Sequence, residues 1–158
     1  MKRLLYILPL VAVLLSGCKE DNWMDWKLQN EMWLVENAKK EGVQVTESGL
    51  QYKIKYDGNK SDTKPDNASN VLVSYEGRLI NGYQFDAASV TTLSMSGVVE
   101  GFAEGLKKIH NHGDIEIYIP QELGYKAEGS GTEGSLSARF IPPYSTLIFD
   151  VHLHAVTK

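Results

Sequence analysis

Val99-Glu100-Gly101-Phe102-Ala103-Glu104-Gly105-Leu106-Lys107-Lys108-Ile109 is followed closely by Ile115-Glu116-Ile117-Tyr118-Ile119, and between the two the hydrophobic period changes. In the first stretch Val99, Phe102, Leu106 and Ile109 recur at helical spacing, which predicts a short amphipathic helix ended by Gly113. In the second, Ile115, Ile117 and Ile119 alternate, so their side chains share one face of a strand. A helix with a single apolar stripe must lay it against another element, and the apolar face of a sheet is the partner on offer.

Working outward, the period of two recurs. Leu50, Tyr52, Ile54 and Tyr56 alternate with Gln51, Lys53 and Lys55 as a half-buried strand. Residues 57–70, rich in Asp, Asn, Ser, Lys and Pro, form a loop. Val71, Val73 and Tyr75 alternate again, running to Leu79, and Asn81-Gly82 predicts a type I′ hairpin turn with positive φ at both positions. A Gly/Ser-rich loop spans residues 127–137. A last strand over 146–156 sets Leu147, Phe149, Val151, Leu153 and Ala155 on one face. The class is α+β: a curled antiparallel β-sheet wrapped around one short α-helix. An N-terminal helix precedes it over 22–40, with Asn22 and Asp25 approximating a capping box and Gly42 as its stop. On that helix Trp26, Trp33 and Asn37 share a face, with Leu34 and Ala38 beside it. Packing on its own domain, self-association into a homodimer and a seat at the membrane interface all remain open for it.

The chain starts with basic Met1-Lys2-Arg3, then an almost wholly apolar Leu4 to Leu15. That run is shorter than the ~20 residues of a permanent span, and the order is that of a secretory signal peptide. Leu15-Ser16-Gly17-Cys18 resembles the bacterial lipobox, which implies lipidation of Cys18 and cleavage before it. Several acyl chains anchor stably where one is marginal. Lys19, not Asp, follows the cysteine, so the inner-membrane retention signal is not met and the expected place is the outer membrane, on its periplasmic or its surface side. Lys19-Glu20-Asp21 resembles a surface-export signal of one Gram-negative group and reads equally as a solvated tether. The expected division is signal peptide 1–17, tether and Trp-rich helix 18–45, folded domain 46–158. Cys18 is the sole cysteine, so no disulfide forms and an ordinary core must hold the fold. A net charge of −4 argues against nucleic acid as a partner.

No phosphate loop, nucleophile elbow or reactive cysteine occurs in residues 46–158. His152 and His154, two apart on a strand, have the spacing of a chelating pair, but the reading adopted is exposed strand positions. His110 and His112 are read as favourable charges near a helix C-terminus. Neither metal nor cofactor is expected.

The run Val71 to Leu79 containing Tyr75 and Gly77, then Phe85-Asp86, Val98-Val99-Glu100-Gly101-Phe102, Ile119-Pro120 leading to Gly124-Tyr125, and Ile141-Pro142-Pro143 leading to Phe149-Asp150 occur in this order. Together they resemble the FKBP family of peptidyl-prolyl cis-trans isomerases, over about residues 71–156. Glu47 to Lys53 is similar to the lead-in of bacterial secreted members. The resemblance implies a proline pocket between the short helix and the sheet. Tyr75, Phe85, Val98, Val99, Phe102, Tyr125, Ile141 and Phe149 would line it, with Phe102 as floor, Asp86 at the rim and Phe140 as a bulky neighbour. The Val99 N–H and the Tyr125 hydroxyl would bond substrate carbonyls. Implied partners are proline-containing polypeptides, exported proteins in this compartment, and macrolide inhibitors of the FK506 type. The alternative is the same pocket as a catalytically weak proline-binding or chaperone module. Departures from the family pattern are Phe102 in place of Trp, no aromatic near Thr91 and Leu93, Lys126 after Tyr125, and a longer loop over 126–140.

Overall fold

In the computed structural model residues 23–134 and 139–157 are described. Residues 1–22, which hold the expected signal segment, Cys18, Lys19-Glu20-Asp21 and Asn22, and part of the 126–140 loop lie outside them. Six strands, β1 (Gln44–Val45), β2 (Gln51–Tyr56), β3 (Asn70–Arg78), β4 (Gln84–Ser94), β5 (Asp114–Ile119) and β6 (Leu147–Thr157), make one sheet in the order β1-β2-β5-β6-β3-β4. Every pairing is antiparallel. Helix α2 (Glu100–Leu106) lies against β5, and α1 (Met24–Asn37) precedes the sheet.

The triple isoleucine of β5 sits at the centre of the core. Ile115, Ile117 and Ile119 are fully buried together with Leu106, Ile109, Val71, Val73, Leu147 and Leu153. α2 approaches β5 closely because it turns two glycines toward it. A Cβ on Gly101 would stand 2.4 Å from Ile119 Cγ2, and one on Gly105 2.5 Å from Ile117 Cδ1. Both are well inside van der Waals contact.

Several expectations need correction. α2 stops at Leu106, not at Gly113. Lys108 N–H bonds the Gly105 carbonyl and Ile109 N–H the Leu106 carbonyl, the tighter i to i+3 pattern of a terminal turn. Ile109 is thus buried from a turn, and the left-handed residue beyond it is His112 (φ 63°). The hairpin after β3 is not type I′ either. Only Gly82 takes positive φ (85°), Gly82 N–H bonds the Leu79 carbonyl, and Leu79 N–H bonds the Tyr83 carbonyl, a three-residue loop with one left-handed position. Asn81 instead turns its side-chain oxygen to the Tyr83 N–H at 3.0 Å. The N-cap of α1 is Trp23, without a side-chain capping bond, and Asn22 of the expected box lies outside the described residues. Tyr56 at the end of β2 is exposed, because the register shifts between Ile54 and Tyr56. The short β1 and the long, polar edge strand β4 went unread.

Of the three roles open to the N-terminal helix, its tryptophan face is used within the domain. Trp26 donates to Ser145 Oγ at 2.9 Å, and the Trp33 and Tyr118 rings lie 5.8 Å apart. Asn30, 2% exposed, accepts the Thr146 N–H at 2.7 Å. Asn37 donates to Gln51, whose own amide donates to the Leu34 carbonyl. Gln51 and Tyr118 alternate with core residues, so α1 covers the sheet face opposite α2. Met24, Leu28, Met32 and Val35 are left exposed along the other side of α1.

Candidate functional site

Antiparallel register assembles the site. Gly77 on β3 stands opposite Asp86 of β4 on one side and Phe149 of β6 on the other. Tyr75, two residues back, therefore shares the face carrying Phe149, over which α2 delivers Phe102. Here Phe102 and Phe149 meet edge to face at 4.9 Å, and Tyr75 lies 6.0 Å from Phe102 and 5.9 Å from Phe149. Edge-to-face geometry sets the positive rim of one ring against the negative face of the next.

Above these rings is a cavity of about 400 Å³ lined by Tyr75, Phe102 and Phe149, by Val98 and Val99 from the turn into α2, by Asp86, and by Tyr125 after the 3₁₀ turn Gln121–Leu123. Leu93 and Gly97 complete the wall, two residues the sequence reading did not assign. The cue to Leu93 is the departure from the family pattern at Thr91 and Leu93, where an aromatic is expected. Phe85 and Ile141 support the cavity without lining it. Phe85 is buried behind Phe149 at 5.5 Å, and Ile141 belongs to the core and pairs with Ser130. Phe140 packs at a tilt against Trp23 at 6.1 Å, at the start of α1, and does not line the cavity.

The rim is polar on one side. Tyr75 donates its hydroxyl to Asp86 Oδ2 at 2.8 Å, and Arg139 meets Asp86 Oδ1 at 2.8 Å. Burial, reinforced by the hydrogen bond to Asp86 and its negative charge, pushes the Tyr75 hydroxyl up to about 12. It therefore stays a donor through the physiological range and holds the carboxylate in place. Arg139 reaches Asp86 from the long loop, a contact invisible to local sequence patterns. Val99 is the N-cap of α2 in extended conformation, and its N–H bonds no described residue. The Tyr125 hydroxyl is likewise without a hydrogen bond to any described residue, on a residue 38% exposed. Two donors thus flank an apolar floor.

A second cavity, about 320 Å³, lies on the opposite sheet face between α1 and β3. Its walls mix Trp33 and Tyr118 with Lys53, Arg78 and Glu116, and no cluster of rings converges there. Among the described residues no three His, Cys, Asp or Glu side chains group as metal ligands.

Comparison with known proteins agrees with this geometry. A family model described as FKBP-type peptidyl-prolyl cis-trans isomerase matches residues 61–154. A second, described as the domain amino terminal to FKBP-type peptidyl-prolyl isomerase, matches residues 19–54. The probable FKBP-type peptidyl-prolyl cis-trans isomerase FkpA of Neisseria meningitidis is 42% identical over 132 residues, covering 80% of this chain and 45% of that protein. The FKBP-type 22 kDa peptidyl-prolyl cis-trans isomerase of Escherichia coli is 39% identical over 77% of this chain and 56% of its own length. The chain thus spans about half the length of these curated relatives. The crystal structure of FkpA from Escherichia coli superposes with a TM-score of 0.78 at 33% identity, covering 87% of this chain and 62% of that one. A fold, a ring-floored cavity and a match across most of the chain agree: it belongs to the FKBP-type peptidyl-prolyl cis-trans isomerase family.

Proposed function

We propose that the domain isomerises X–Pro peptide bonds of exported polypeptides. The observation that carries this is the cavity floored by Phe102 and Phe149 with unengaged donors on its rim. Rotation about a peptide bond faces a barrier of roughly 18–20 kcal/mol because resonance must be broken. The planar amide is more polar than the twisted one, and water favours it. A proline ring seated on Phe102 leaves water behind, so the planar state loses that advantage. The Val99 N–H and Tyr125 hydroxyl then hold the flanking carbonyls in the twisted geometry, binding the transition state better than the ground state. Asp86, fixed by Tyr75 and Arg139, is a polar edge that aligns the chain. No covalent step is involved. Each ~1.4 kcal/mol removed from the barrier gives tenfold in rate.

The test is a protease-coupled assay with a prolyl tetrapeptide. Acceleration by the wild type, lost in Phe102→Ala and Tyr125→Ala, supports turnover. Binding of a proline peptide without acceleration would favour the alternative, a weak proline-binding or chaperone module. FK506-type macrolides, which place an apolar ring in such a cavity, should compete with the peptide.

The same reading extends to the ends of the chain. The division into a signal peptide 1–17, a tether with the Trp-rich helix 18–45 and the domain 46–158, and lipidation of Cys18 with anchorage to the outer membrane, are part of the proposal. Labelling with radioactive palmitate, abolished by Cys18→Ala, tests the anchor. A homodimer through α1 is also proposed, but on the face away from the tryptophans. Met24, Leu28, Met32 and Val35 recur four, four and three residues apart and are each more than half exposed. A two-fold axis would set this stripe against its copy. Light scattering on the wild type and on Leu28→Glu should show twice the monomer mass reduced to the monomer; a monomeric wild type excludes it.

A further inference from the structure

We propose that His152 and His154 are a chelating pair for a borderline divalent transition-metal ion, Cu²⁺ foremost, with Zn²⁺ and Ni²⁺ weaker. The inference is independent of the isomerase reading, because these residues are on the sheet face opposite the proline cavity. On β6 they alternate with buried Val151 and Leu153, so both point outward from the same face. Their rings are 4.5 Å apart, centroid to centroid.

What separates this pair from two chance surface histidines is that each has one ring nitrogen already committed. His152 Nδ1 is 2.8 Å from Asp114 Oδ1 on the neighbouring strand. A carboxylate only accepts, so Nδ1 carries the proton and Nε2 of the neutral ring keeps a bare lone pair. His154 Nε2 is 2.6 Å from Ser74 Oγ. The Ser74 hydroxyl is itself donating, to the Ser89 carbonyl. Its oxygen is therefore the acceptor, Nε2 carries the proton, and Nδ1 of His154 is the bare nitrogen. Two adjacent imidazoles thus hold fixed, opposite tautomers, each set by its own partner on another strand. Metal-binding histidines are oriented in this way, with the second nitrogen given to a carboxylate or an oxygen acceptor.

The donor set defines the ion. Two neutral imidazoles suit Cu²⁺, Ni²⁺ and Zn²⁺ and not the hard Mg²⁺ or Ca²⁺, and affinity peaks at Cu²⁺. No third protein ligand joins them among the described residues, so water completes the coordination and the ion stays exchangeable. His110, bound to Asp57 at 3.0 Å, and His112 on its left-handed turn are not part of the set.

The test has two arms on the intact chain. In the metal-free wild type, ¹H–¹⁵N long-range correlation spectra should show His152 protonated at Nδ1 and His154 at Nε2; the reverse tautomer at either ring overturns the proposal and needs no variant. Titration with CuCl₂ should then fill one site whose electron paramagnetic resonance spectrum carries two imidazole nitrogens. His152→Ala and His154→Ala should each weaken it at least about tenfold, since the second imidazole binds intramolecularly. Asp114→Asn should cost about tenfold or more through the lost orienting carboxylate. His110→Ala and His112→Ala should leave it unchanged. Wild-type affinity in both His152→Ala and His154→Ala, loss in His112→Ala instead, or no site at all overturns the proposal.

Discussion

Phe149 touches Tyr75, Phe85 and Phe102, whereas Asp86 stands at the cavity's edge, and this difference ranks their contributions. If exclusion of water from the imide is the main effect, Phe149→Ala should lower kcat/KM by more than tenfold, about 1.4 kcal/mol or more. Asp86→Ala should lower it less. The reverse order in measured kcat/KM would reject desolvation as the leading cause. Phe149→Ala also removes a buried ring, at a cost of about 3–5 kcal/mol in stability, so the comparison belongs at a temperature where both variants are folded. Tyr75 gives a second prediction. Unfolded tyrosine ionises near pH 10, and in the fold burial and Asp86 raise it to about 12. The proton is held more tightly in the native state, so this stabilisation is whole below about pH 10 and is lost as pH rises from there through about 12. Ultraviolet titration of tyrosinate should show a late phenol near pH 12 that is missing in Tyr75→Phe, while Tyr118, raised by burial and its bond to Glu116, stays late in both. If the variant and the wild type titrate alike, the bond to Asp86 is not formed.

Among the elements, those with a strong period were legible and those without were not. β5 announced itself through three isoleucines on one face, all fully buried. β4 did not, because as an edge strand it covers one neighbour and alternates small, polar and apolar residues with no repeat. Leu93 was missed with it. The end of α2 was misread because Ile109 keeps helical spacing although it sits on a tighter turn. Buried polar residues on α1 carry the next prediction. Asn30 accepts the Thr146 N–H and donates to the Trp26 carbonyl at 2.8 Å. Asn30→Ala strands a buried backbone donor, which costs about 1–3 kcal/mol, against a gain of a few tenths from the better helix former. Net loss in a urea titration is the expected outcome; equal midpoints would mean that water replaces the amide. Gly101→Ala on α2 is expected to destabilise by about 1–3 kcal/mol for a different reason, overpacking against Ile119, where propensity alone predicts a gain. A raised urea midpoint would show that α2 can slide away from β5.

At the scale of the molecule, the ring-floored cavity and α1 occupy opposite faces of one sheet and are joined through the segment after the long loop. Trp23 packs at a tilt against Phe140, Trp26 bonds Ser145 and Asn30 bonds Thr146, just before β6 carries Phe149 into the cavity. Ser145 in turn donates to the Pro142 carbonyl, and Tyr144 N–H bonds the Lys126 carbonyl beside Tyr125. No run of sequence could reveal this, since each partner lies on another element and only the folded register brings them together. The consequence is that α1 acts as part of the folded unit and not only as a spacer ahead of it. A chain reduced to residues 46–158 loses the bonds from Asn30, Asn37 and Trp26 and uncovers Gln51 and Tyr118. At about 1 kcal/mol net for each hydrogen bond, plus the apolar cover, that is several kcal/mol. Whole domains have only about 5–15 kcal/mol to lose. The shortened chain should therefore unfold at a clearly lower urea concentration with a smaller dependence on denaturant. Tyr125 should also lose order first, seen as faster amide exchange at Lys126 than at Ile117. Equal midpoints for the two chains, with unchanged exchange at Lys126, would reduce α1 to a tether and detach it from the site.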